Sequence, residues 1–381
     1  MKFLLVGTNP EHTGAATHFV ALAQALAEAG HEVGVVTAAD GLIEQQLADT
    51  AVQLHRATFR NALDLRGFAA VLRAARQLRP HWLVGNFGKE YWPLIVIGRL
   101  LRIPVVLFRH RVPPMKRVSA WLLPRLAHRF FAVSRHARRA YLERGVPPGL
   151  VQVLYNPVNM ALCRHDPVQR SAILRSLDIF GDPVVLGYCG RMQRGKGIFT
   201  LFDAATAAMA QQPQLHCLWL GDGPDAPALR ERAAAHPLGS RHHFPGWVND
   251  IHPYYSAMSM LAFPSIAPET FGRVSVEAQA AGLPVLASDI GGIPETLQPG
   301  VTGVLLPPGD VEAWRAAIVA MCDPSRRQPM GVAAEAFVRE RFSTGVIAAR
   351  FVHLLTAAST SKAGSTGIPP HRPRGRWRLP G

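Results

Sequence analysis

Short runs of aliphatic and β-branched residues alternate with longer Ala- and Leu-rich segments along most of the chain. Apolar runs of this length predict buried strands, and segments with a period near 3.6 predict helices. In the first part of the chain, strands are expected at Lys2–Val6, Glu32–Thr37, His81–Gly85, Pro104–Arg109, Phe130–Val133 and Val151–Leu154. Helices there include Gly14–Ala29, Asp64–Arg79 and Val118–His128. Apolar strands that alternate with helices predict a parallel sheet covered on both faces.

The alternation starts again after Asn156-Pro157-Val158. Further strands are expected at Pro183–Cys189, Leu215–Leu220, Met260–Phe263, Pro284–Ala287 and Gly303–Leu306. The chain is therefore predicted to be an α/β protein with two Rossmann-like domains, residues 1–160 and 161–342. A helix at 343–358 is expected to pack back on the first domain, and residues 359–381, rich in Ser, Gly, Pro and Arg, to be a disordered basic tail. Ligands of such sheets bind beyond the carboxyl ends of the strands.

Composition supports two folded units, and the net charge is concentrated in two segments of the chain. The 381 residues are 48% hydrophobic and 18% charged, which excludes a largely disordered chain. The net charge of +15 alone would suggest a polyanionic partner. However, residues 99–144 hold twelve basic residues and one acidic residue, and residues 360–381 hold five basic residues and no acidic residue. In the rest of the chain the basic and acidic residues are nearly equal in number. Because no helix-turn-helix, RNA-binding or zinc pattern accompanies the charge, nucleic-acid binding is the weakest interpretation.

The cysteines and apolar segments also limit the function. Four cysteines with no C-x-x-C pair predict buried reduced thiols, not a metal site or a disulfide framework. They are Cys163, Cys189, Cys217 and Cys322. The apolar start of the chain ends at Val6, which is too short for a signal peptide, and segment 92–108 is interrupted by Arg99, Arg102 and Pro104. A cytoplasmic protein without a membrane span is expected.

A glycine-rich turn follows the first predicted strand of the second part, at residues 190–197 (GRMQRGKG). Glycines let the backbone approach an anion closely, and Arg191, Lys196 and the start of the next helix supply positive charge. The spacing differs from a P-loop, and the hydroxyl residue that would hold magnesium is missing. The turn therefore predicts a phosphate site, with an ordinary strand–helix turn bearing solvated cations as the alternative.

A longer motif occupies residues 263–285 (FPSIAPETFGRVSVEAQAAGLPV). A strand ends near Pro264, a loop carries Glu269, and a helix begins near Gly272 with Glu277 one to two turns inside it. The helix N-terminus would hold a diphosphate, Glu269 would accept hydrogen bonds from sugar hydroxyls, and Glu277 would reach a ribose. The alternatives are a dipole-favoured acid at a helix start for Glu269 and a solvated helix residue for Glu277.

The pattern Pro-Ser-x3-Glu-x-Phe-Gly-x4-Glu in this motif resembles the signature of glycosyltransferase family 4, the retaining GT-B glycosyltransferases. Four shorter motifs follow the order usual in that family: 221–224 (GDGP), 244–247 (FPGW), 291–295 (GGIPE) and 307–310 (PPGD). The resemblance covers about residues 1–355 and is more specific in the second half of the chain. It implies a GT-B fold, in which two Rossmann-like domains face each other across a deep cleft, the first binding the acceptor and the second the nucleotide sugar.

The resemblance implies roles for named residues on the donor side. Arg191 and Lys196 would neutralise the donor's diphosphate, Glu269 would orient the donor sugar, and Glu277 would bind the ribose. The donor-binding set implied is Gly190, Arg191, Lys196, Trp247, Val248, Glu269, Phe271, Gly272, Arg273 and Glu277. In such enzymes the acceptor attacks on the face that the diphosphate leaves, so the anomeric configuration is retained. No Asp-x-Asp occurs in the chain, and neither a metal nor a cofactor is expected.

On the acceptor side, Gly14 and His18 stand where the family has a Gly-Gly turn and a downstream His, although Ala15 departs from that turn. His110 resembles the His that contacts the donor sugar or acceptor, and without the resemblance it would be read as a structural strand-end group. Together with Glu269, Arg191 and Lys196 it forms the catalytic set. Because Arg109 and Arg111 flank His110, an acidic acceptor is expected, such as a lipid-linked diphosphate or a uronic-acid glycan.

Residues 115–144 combine arginines with Trp, Leu, Phe and Tyr. Such a segment either lies on an anionic membrane surface or is a solvated face over an apolar core. The combined prediction is a hexosyltransferase that uses a UDP- or GDP-sugar and a glycan or lipid-linked acceptor, attached peripherally to the inner face of the cytoplasmic membrane. Cell-envelope polysaccharide, lipopolysaccharide or glycolipid synthesis is the expected context. A nucleotide-sugar epimerase of GT-B fold is the alternative enzyme.

Overall fold

The structure is a computed structural model that describes residues 1–11, 13–112 and 115–357. The predicted tail at 359–381 lies outside the described residues. The chain forms two parallel sheets, each with helices on both faces, and the helices and strands built around the two sheets are called the first half and the second half below.

Seven strands form the sheet of the first half, in the order β3-β2-β1-β4-β5-β6-β7. The strands are β1 Lys2–Gly7, β2 Glu32–Thr37, β3 Gln53–Arg56, β4 Trp82–Gly85, β5 Val105–Arg109, β6 Arg129–Ala132 and β7 Val151–Val153. The helices are α1 Gly14–Glu28, α2 Leu42–Leu47, α3 Leu65–Leu78, α4 Tyr91–Leu101, α5 Arg117–Leu126 and α6 Arg135–Leu142, and a 3-10 turn spans Pro148–Leu150.

Six strands form the sheet of the second half, in the order β10-β9-β8-β11-β12-β13. The strands are β8 Val184–Cys189, β9 Leu215–Leu220, β10 His242–Gly246, β11 Met260–Phe263, β12 Val285–Ser288 and β13 Gly303–Leu306. The helices are α7 Pro167–Ser176, α8 Ile198–Met209, α9 Ala226–Ala234, α10 His252–Ala257, α11 Arg273–Ala280, α12 Val311–Met321 and α13 Pro324–Phe342. A last helix, α14 Thr344–Thr356, follows them in the chain. Further 3-10 turns span Arg194–Lys196, Gly239–Arg241 and Ile293–Thr296.

The predicted α/β class is confirmed, and each sheet has the strand order of a doubly wound fold. In each sheet the order reverses beside the first strand, at β1/β4 and β8/β11, where the helices change face and leave a crevice. All predicted strands are present, with ends that shift by one residue or coincide. Two edge strands, β3 and β10, were not predicted because their sequences QLHR and HHFPG are largely polar. An edge strand has one neighbour and needs no continuous apolar run.

The chain crosses between the halves twice at one place. The amide of Val158 donates to the carbonyl of Phe342 at 2.7 Å, and the amide of Thr344 donates to the carbonyl of Val158 at 3.1 Å. Beyond this crossing, α14 packs against α1 and completes the core of the first half. The ring of Phe351 lies 5.6 Å from the ring of Phe108. The last described helix therefore belongs, by packing, to the start of the chain.

The cysteines and the apolar helices bear on two of the predictions from the sequence. All four cysteines are free and buried, as predicted. Within the part of the chain that the structure describes, no helix combines the length and the apolar character needed to cross a bilayer.

Candidate active site

A cleft of about 570 Å³ lies between the two halves, where the carboxyl ends of both sheets face each other. Its volume is in the range typical of small-molecule sites. Nine of the residues selected from the sequence line it: Gly14, His110, Arg111, Gly190, Lys196, Glu269, Phe271, Gly272 and Arg273. They come from loops after four different strands, so the topology alone brings them together. The other six selected residues lie outside this lining and are placed individually below.

The glycine-rich turn after β8 approaches the loop after β11 very closely. Gly197 begins α8 with a positive φ of 69°, and a Cβ at this position would lie 1.8 Å from the carbonyl oxygen of Pro264. Only glycine fits such a contact without a backbone shift. The close approach brings Lys196 to the Glu269 loop, where its ammonium forms an ion pair with the Glu269 carboxylate.

Glu269 lies on the floor of the cleft beside the start of α11. Its Oε1 accepts a hydrogen bond from the hydroxyl of Ser265 at 2.8 Å as well as the contact from Lys196. The side chain keeps 21% of its surface exposed, so the carboxylate is fixed and still faces the cleft. Gly272 precedes α11, as predicted, and the first amides of that helix point toward the same space. Together, a cation, a carboxylate and a helix N-terminus surround one position.

Glu277 is buried, so the structure excludes the alternative that it is a solvated helix residue. Its Oε2 accepts from the hydroxyl of Tyr255 at 3.1 Å, and its Oε1 is held by the guanidinium of Arg273. Arg273 also donates to the carbonyl of Gly14 at 3.3 Å, which lies in the first half. The side chain of Arg273 therefore joins the two walls of the cleft, whereas the sequence had indicated only its backbone amide.

Three predicted donor-binding residues lie outside the cleft lining. Arg191 follows Gly190 with its side chain exposed, and its carbonyl accepts from Tyr188 at 3.0 Å. Trp247 is 67% exposed in the loop after β10, and Val248 packs partly onto the core of the second half. Arg191 adjoins the lining residue Gly190 and so lies at the rim.

His110 follows β5 and lines the opposite wall. Its Nε2 lies 2.7 Å from Oδ1 of Asn86, and Nδ2 of Asn86 donates to the carbonyl of Ala15 at 2.9 Å. Burial, reinforced by the positive charges of Arg109 and Arg273, lowers the pKa of His110 to about 3. The imidazole is therefore neutral at physiological pH, and its bond to Asn86 fixes its orientation.

His18 is fully buried in α1, directly behind His110, with the two rings 4.7 Å apart. Burial, followed by the charges of His110 and Arg273, lowers its pKa well below the usual value. The structure thus places His18 behind the cleft surface, where it packs against His110 and against Phe108 at 4.9 Å.

The two arginines that flank His110 point in different directions. Alternate residues of a strand face opposite sides of its sheet, so Phe108 and His110 share one face and Arg109 takes the other. Arg109 lies beside the buried Tyr141, whose pKa is raised to about 12 by burial and partly lowered again by Arg109. The structure therefore does not bring Arg109 to the cleft, whereas Arg111, one residue after His110, is exposed and lines it.

Several cleft residues were not selected from the sequence. Asn156 follows β7 and lines the cleft, and Asn86 follows β4 and contacts His110 from outside the lining. The same strand-end rule that selected His110 could have found both. Thr270 lies inside the recognised motif but had no assigned role. Asn9, Glu11 and Thr13 belong to the loop after β1, which lines the cleft through side chains without a motif.

Comparison with known proteins places these features in a family. A family model described as Glycosyltransferase Family 4 matches residues 12–162, and one described as Glycosyl transferases group 1 matches residues 183–323. The D-inositol 3-phosphate glycosyltransferase of Geodermatophilus obscurus is 30% identical over 348 residues, which cover 82% of this chain and 75% of that protein. The chain belongs to glycosyltransferase family 4.

Two further comparisons extend the assignment. The alpha-maltose-1-phosphate synthase of Mycolicibacterium smegmatis is 27% identical to this glycosyltransferase over 319 residues, covering 75% of this chain and 80% of that one. The crystal structure of Anabaena Alr3699/HepE in complex with UDP and glucose superposes with a TM-score of 0.79 and 24% identity, covering 94% of this chain and all of that one. The predicted GT-B fold, with two Rossmann-like halves across a cleft, is confirmed.

Proposed function

We propose that this glycosyltransferase transfers a hexosyl group from a nucleoside diphosphate sugar to an acceptor hydroxyl, with retention of configuration and without a metal ion. The observation that carries the proposal is the convergence of Lys196, Glu269 and the N-terminus of α11 on one side of the cleft, with neutral His110 on the other. Cations and helix amides suit a diphosphate, and a fixed carboxylate suits sugar hydroxyls. Alr3699/HepE, a protein of the same fold, is described in complex with UDP and glucose.

The proposed reaction needs few groups from the protein. The acceptor oxygen bonds to the anomeric carbon on the face from which the diphosphate leaves, and the bond from that carbon to the phosphate oxygen breaks. The hydroxyl proton passes to the departing phosphate oxygen. Negative charge grows on the diphosphate, where Lys196, the α11 amides and Arg191 at the rim stabilise it. Glu269 and His110 hold the sugar, and Glu277 and the Trp247–Val248 loop bind the nucleoside.

Donor binding is tested with the intact protein by thermal shift against UDP, GDP and ADP and their hexose conjugates. A ligand that binds only the folded state raises the melting temperature. One nucleotide and its sugar should stabilise the protein, with equal effect in excess chelator, and NMR of the product should show the donor's anomeric configuration. Stabilisation that requires added divalent metal, or an inverted product, contradicts the proposal, and release of an epimerised sugar without an acceptor favours the epimerase.

The acceptor is proposed to be an acidic glycan or lipid-linked molecule. Arg111 is exposed in the cleft lining beside His110, where it can reach a phosphate or carboxylate. The two curated relatives described above are named for phosphorylated compounds, inositol 3-phosphate and maltose 1-phosphate. The Arg111 variant that tests this proposal is given in the Discussion.

Peripheral attachment to an anionic membrane is proposed for the exposed face of α4 and α5. The two helices are neighbours, joined by a hydrogen bond from Trp92 to Ser119 at 3.2 Å. Four apolar side chains on them are at least half exposed: Val96, Leu100, Val118 and Trp121. Arg117 and Arg144 lie beside the last two. Other arginines of the basic segment have structural contacts, such as Arg129 with the carbonyl of Leu354. The proposed membrane surface is therefore smaller than the segment 115–144 that the sequence indicated.

Vesicle sedimentation tests this surface. The intact protein should sediment with phosphatidylglycerol vesicles and less with phosphatidylcholine vesicles, because each basic residue near an anionic surface contributes about 1 kcal/mol. Trp121→Ala should weaken sedimentation, whereas Phe180→Ala, which removes an exposed aromatic from the second half, should not. Binding that ignores anionic lipid, or that both variants weaken equally, contradicts the proposal.

A further inference from the structure

The loop that carries Glu269 is held from both halves of the molecule. From its own half, the amide of Gly292 donates to the carbonyl of Glu269 at 2.8 Å. A Cβ at position 292 would lie 2.3 Å from the carbonyl oxygen of Thr270, so this approach requires glycine. From the opposite half, the hydroxyl of Ser134 donates to the carbonyl of Thr270. Two consecutive carbonyls are thus fixed by one hydrogen bond from each half.

A second contact between the halves lies at the N-terminus of α6. The carboxylate of Glu295 accepts from the amide of Arg135 at 2.7 Å and from the amide of His136 at 2.8 Å. These first amides have no partner inside the helix, and the positive end of the helix dipole favours a carboxylate there. Ser134 caps the same helix, because its Oγ accepts from the amide of Ala137 at 2.9 Å. One helix end therefore receives a side chain from each half.

Tyr155 contacts both Glu295 and the loop that carries Glu269. Its hydroxyl donates to Oε2 of Glu295 at 3.0 Å, and its ring stacks on Phe271 with the centroids 5.6 Å apart. Phe271 follows Thr270 in the loop that carries Glu269. The segment 291–295 therefore supports that loop at one end and reaches across to α6 at the other.

We propose that Ser134 and Glu295 are positioning residues that align Glu269 with the donor sugar only when the two halves are docked. Together with the amides of Arg135 and His136 they form what we call the α6 latch. When the halves separate, the loop loses the bond from Ser134 to Thr270, while the nucleotide contacts of the second half are unaffected. The latch thus links closure of the cleft to the geometry of sugar transfer. This inference rests on the proposed role of Glu269.

Kinetics separate positioning from nucleotide binding. In Ser134→Ala and Glu295→Gln we expect kcat to fall about tenfold, as the loss of one or two well-formed hydrogen bonds implies, with little change in the donor KM. Ser134→Thr, which keeps the hydroxyl, should recover most of the activity. Asp64→Ala is the matched control, because Asp64 caps α3 through the amides of Arg66 and Gly67, and α3 contributes nothing to the described cleft lining. The same loss in Asp64→Ala would overturn the inference.

Hydrogen exchange gives a readout that does not depend on catalysis. Without substrate, peptides covering residues 264–272 should exchange faster in both latch variants than in the native protein and in Asp64→Ala. If Ser134→Ala does not fold, Glu295→Gln, whose side chain is half-buried, carries the test. Native exchange together with native kcat in the latch variants overturns the inference. Full activity in Glu269→Gln with altered exchange in the latch variants would reject the proposed role of Glu269 and the positioning inference that rests on it, leaving only the latch as a contact between the halves.

Discussion

The two walls of the cleft supply polar groups in different ways. The wall of the second half uses charged pairs, Lys196 with Glu269 and Arg273 with Glu277. The wall of the first half is built around a neutral imidazole, His110, oriented by the amide of Asn86. A charged wall stabilises charge that develops during reaction, whereas neutral donors and acceptors distinguish the arrangement of hydroxyls. Under the proposed function, the second half would stabilise the charge that develops during transfer, and the first half would select the substrate.

The largest expected effect concerns the charged wall. Glu269→Gln should lower kcat/KM by roughly 10²- to 10³-fold, because the amide cannot hold both Lys196 and the sugar as the carboxylate does. Release of the nucleotide from the donor measures it. Glu335→Gln removes a carboxylate of the same type from a surface ion pair with Arg339 and should leave kcat/KM unchanged. Equal activity of the two variants would remove the distinction between the walls.

On the neutral wall, His110→Ala should lower kcat roughly 30-fold through the loss of a hydrogen bond to substrate. His110→Asn keeps a polar group that can hydrogen-bond the substrate and should recover part of this loss. Because the pKa of His110 is held to about 3, kcat/KM of the native enzyme should show no imidazole titration between pH 5 and 8. A loss of activity as the pH rises through about 6.5, absent in His110→Asn, would show that the imidazole is protonated during turnover.

Arg111 is the charged exception on the first wall. Arg111→Ala should raise the acceptor KM about tenfold through the loss of a charge-assisted contact, while the donor KM stays constant. Lys116→Ala, which removes an exposed cation from the segment that follows, is the matched control. If both KM values rise together in Arg111→Ala, the acceptor is not recognised by its charge.

The smallest expected effect is on the pH dependence of the free energy of unfolding. Burial lowers the pKa of His110 to about 3 and that of His18 well below its usual value, so the unfolded chain binds more protons below about pH 6.5. The contribution of these two histidines to stability is therefore fully present above that pH and is lost as the pH falls. The pKa of buried Glu90 is raised to about 7, so its contribution is lost as the pH rises from about 4.5 to 7.

The two opposite trends are separated by one substitution. His110→Asn should flatten the decrease in melting temperature between pH 7 and 5 by about 1–2 °C, because one imidazole contributes about 1–2 kcal/mol over this range and a chain of 381 residues shifts by roughly 1 °C per kcal/mol. Thermal scans at several pH values measure this change. An unchanged slope would mean that His110 titrates equally in the folded and unfolded chains.

The wall of the second half could be predicted from the sequence because its groups are close together along the chain. Glu269, Gly272 and Glu277 occupy one loop and the helix that follows, so their spacing nearly fixes their geometry. Lys196 could be predicted as well, since it follows a strand whose neighbour in the sheet ends at the same edge.

Other features depend on contacts that no local pattern encodes. The hydrogen bond from the amide of Arg135 to the carboxylate of Glu295 joins residues 160 positions apart, and the motif 291–295 was recognised without a role for its last residue. The sequence placed Arg109 beside Arg111, but strand alternation sends Arg109 toward Tyr141 on the other face of the sheet. The pairing of Arg273 with Glu277 follows helical i, i+4 spacing and could have been read from the sequence.

The return of α14 to the first half has a consequence for biosynthesis. Ile347, Phe351 and Leu355 are buried among side chains such as Phe3 and Phe108, which leave the ribosome hundreds of residues earlier. The first half therefore cannot complete its core as it is translated, and its apolar face stays uncovered until the second half has been made. A newly synthesised first half would thus be a substrate for chaperones for most of the time that translation takes.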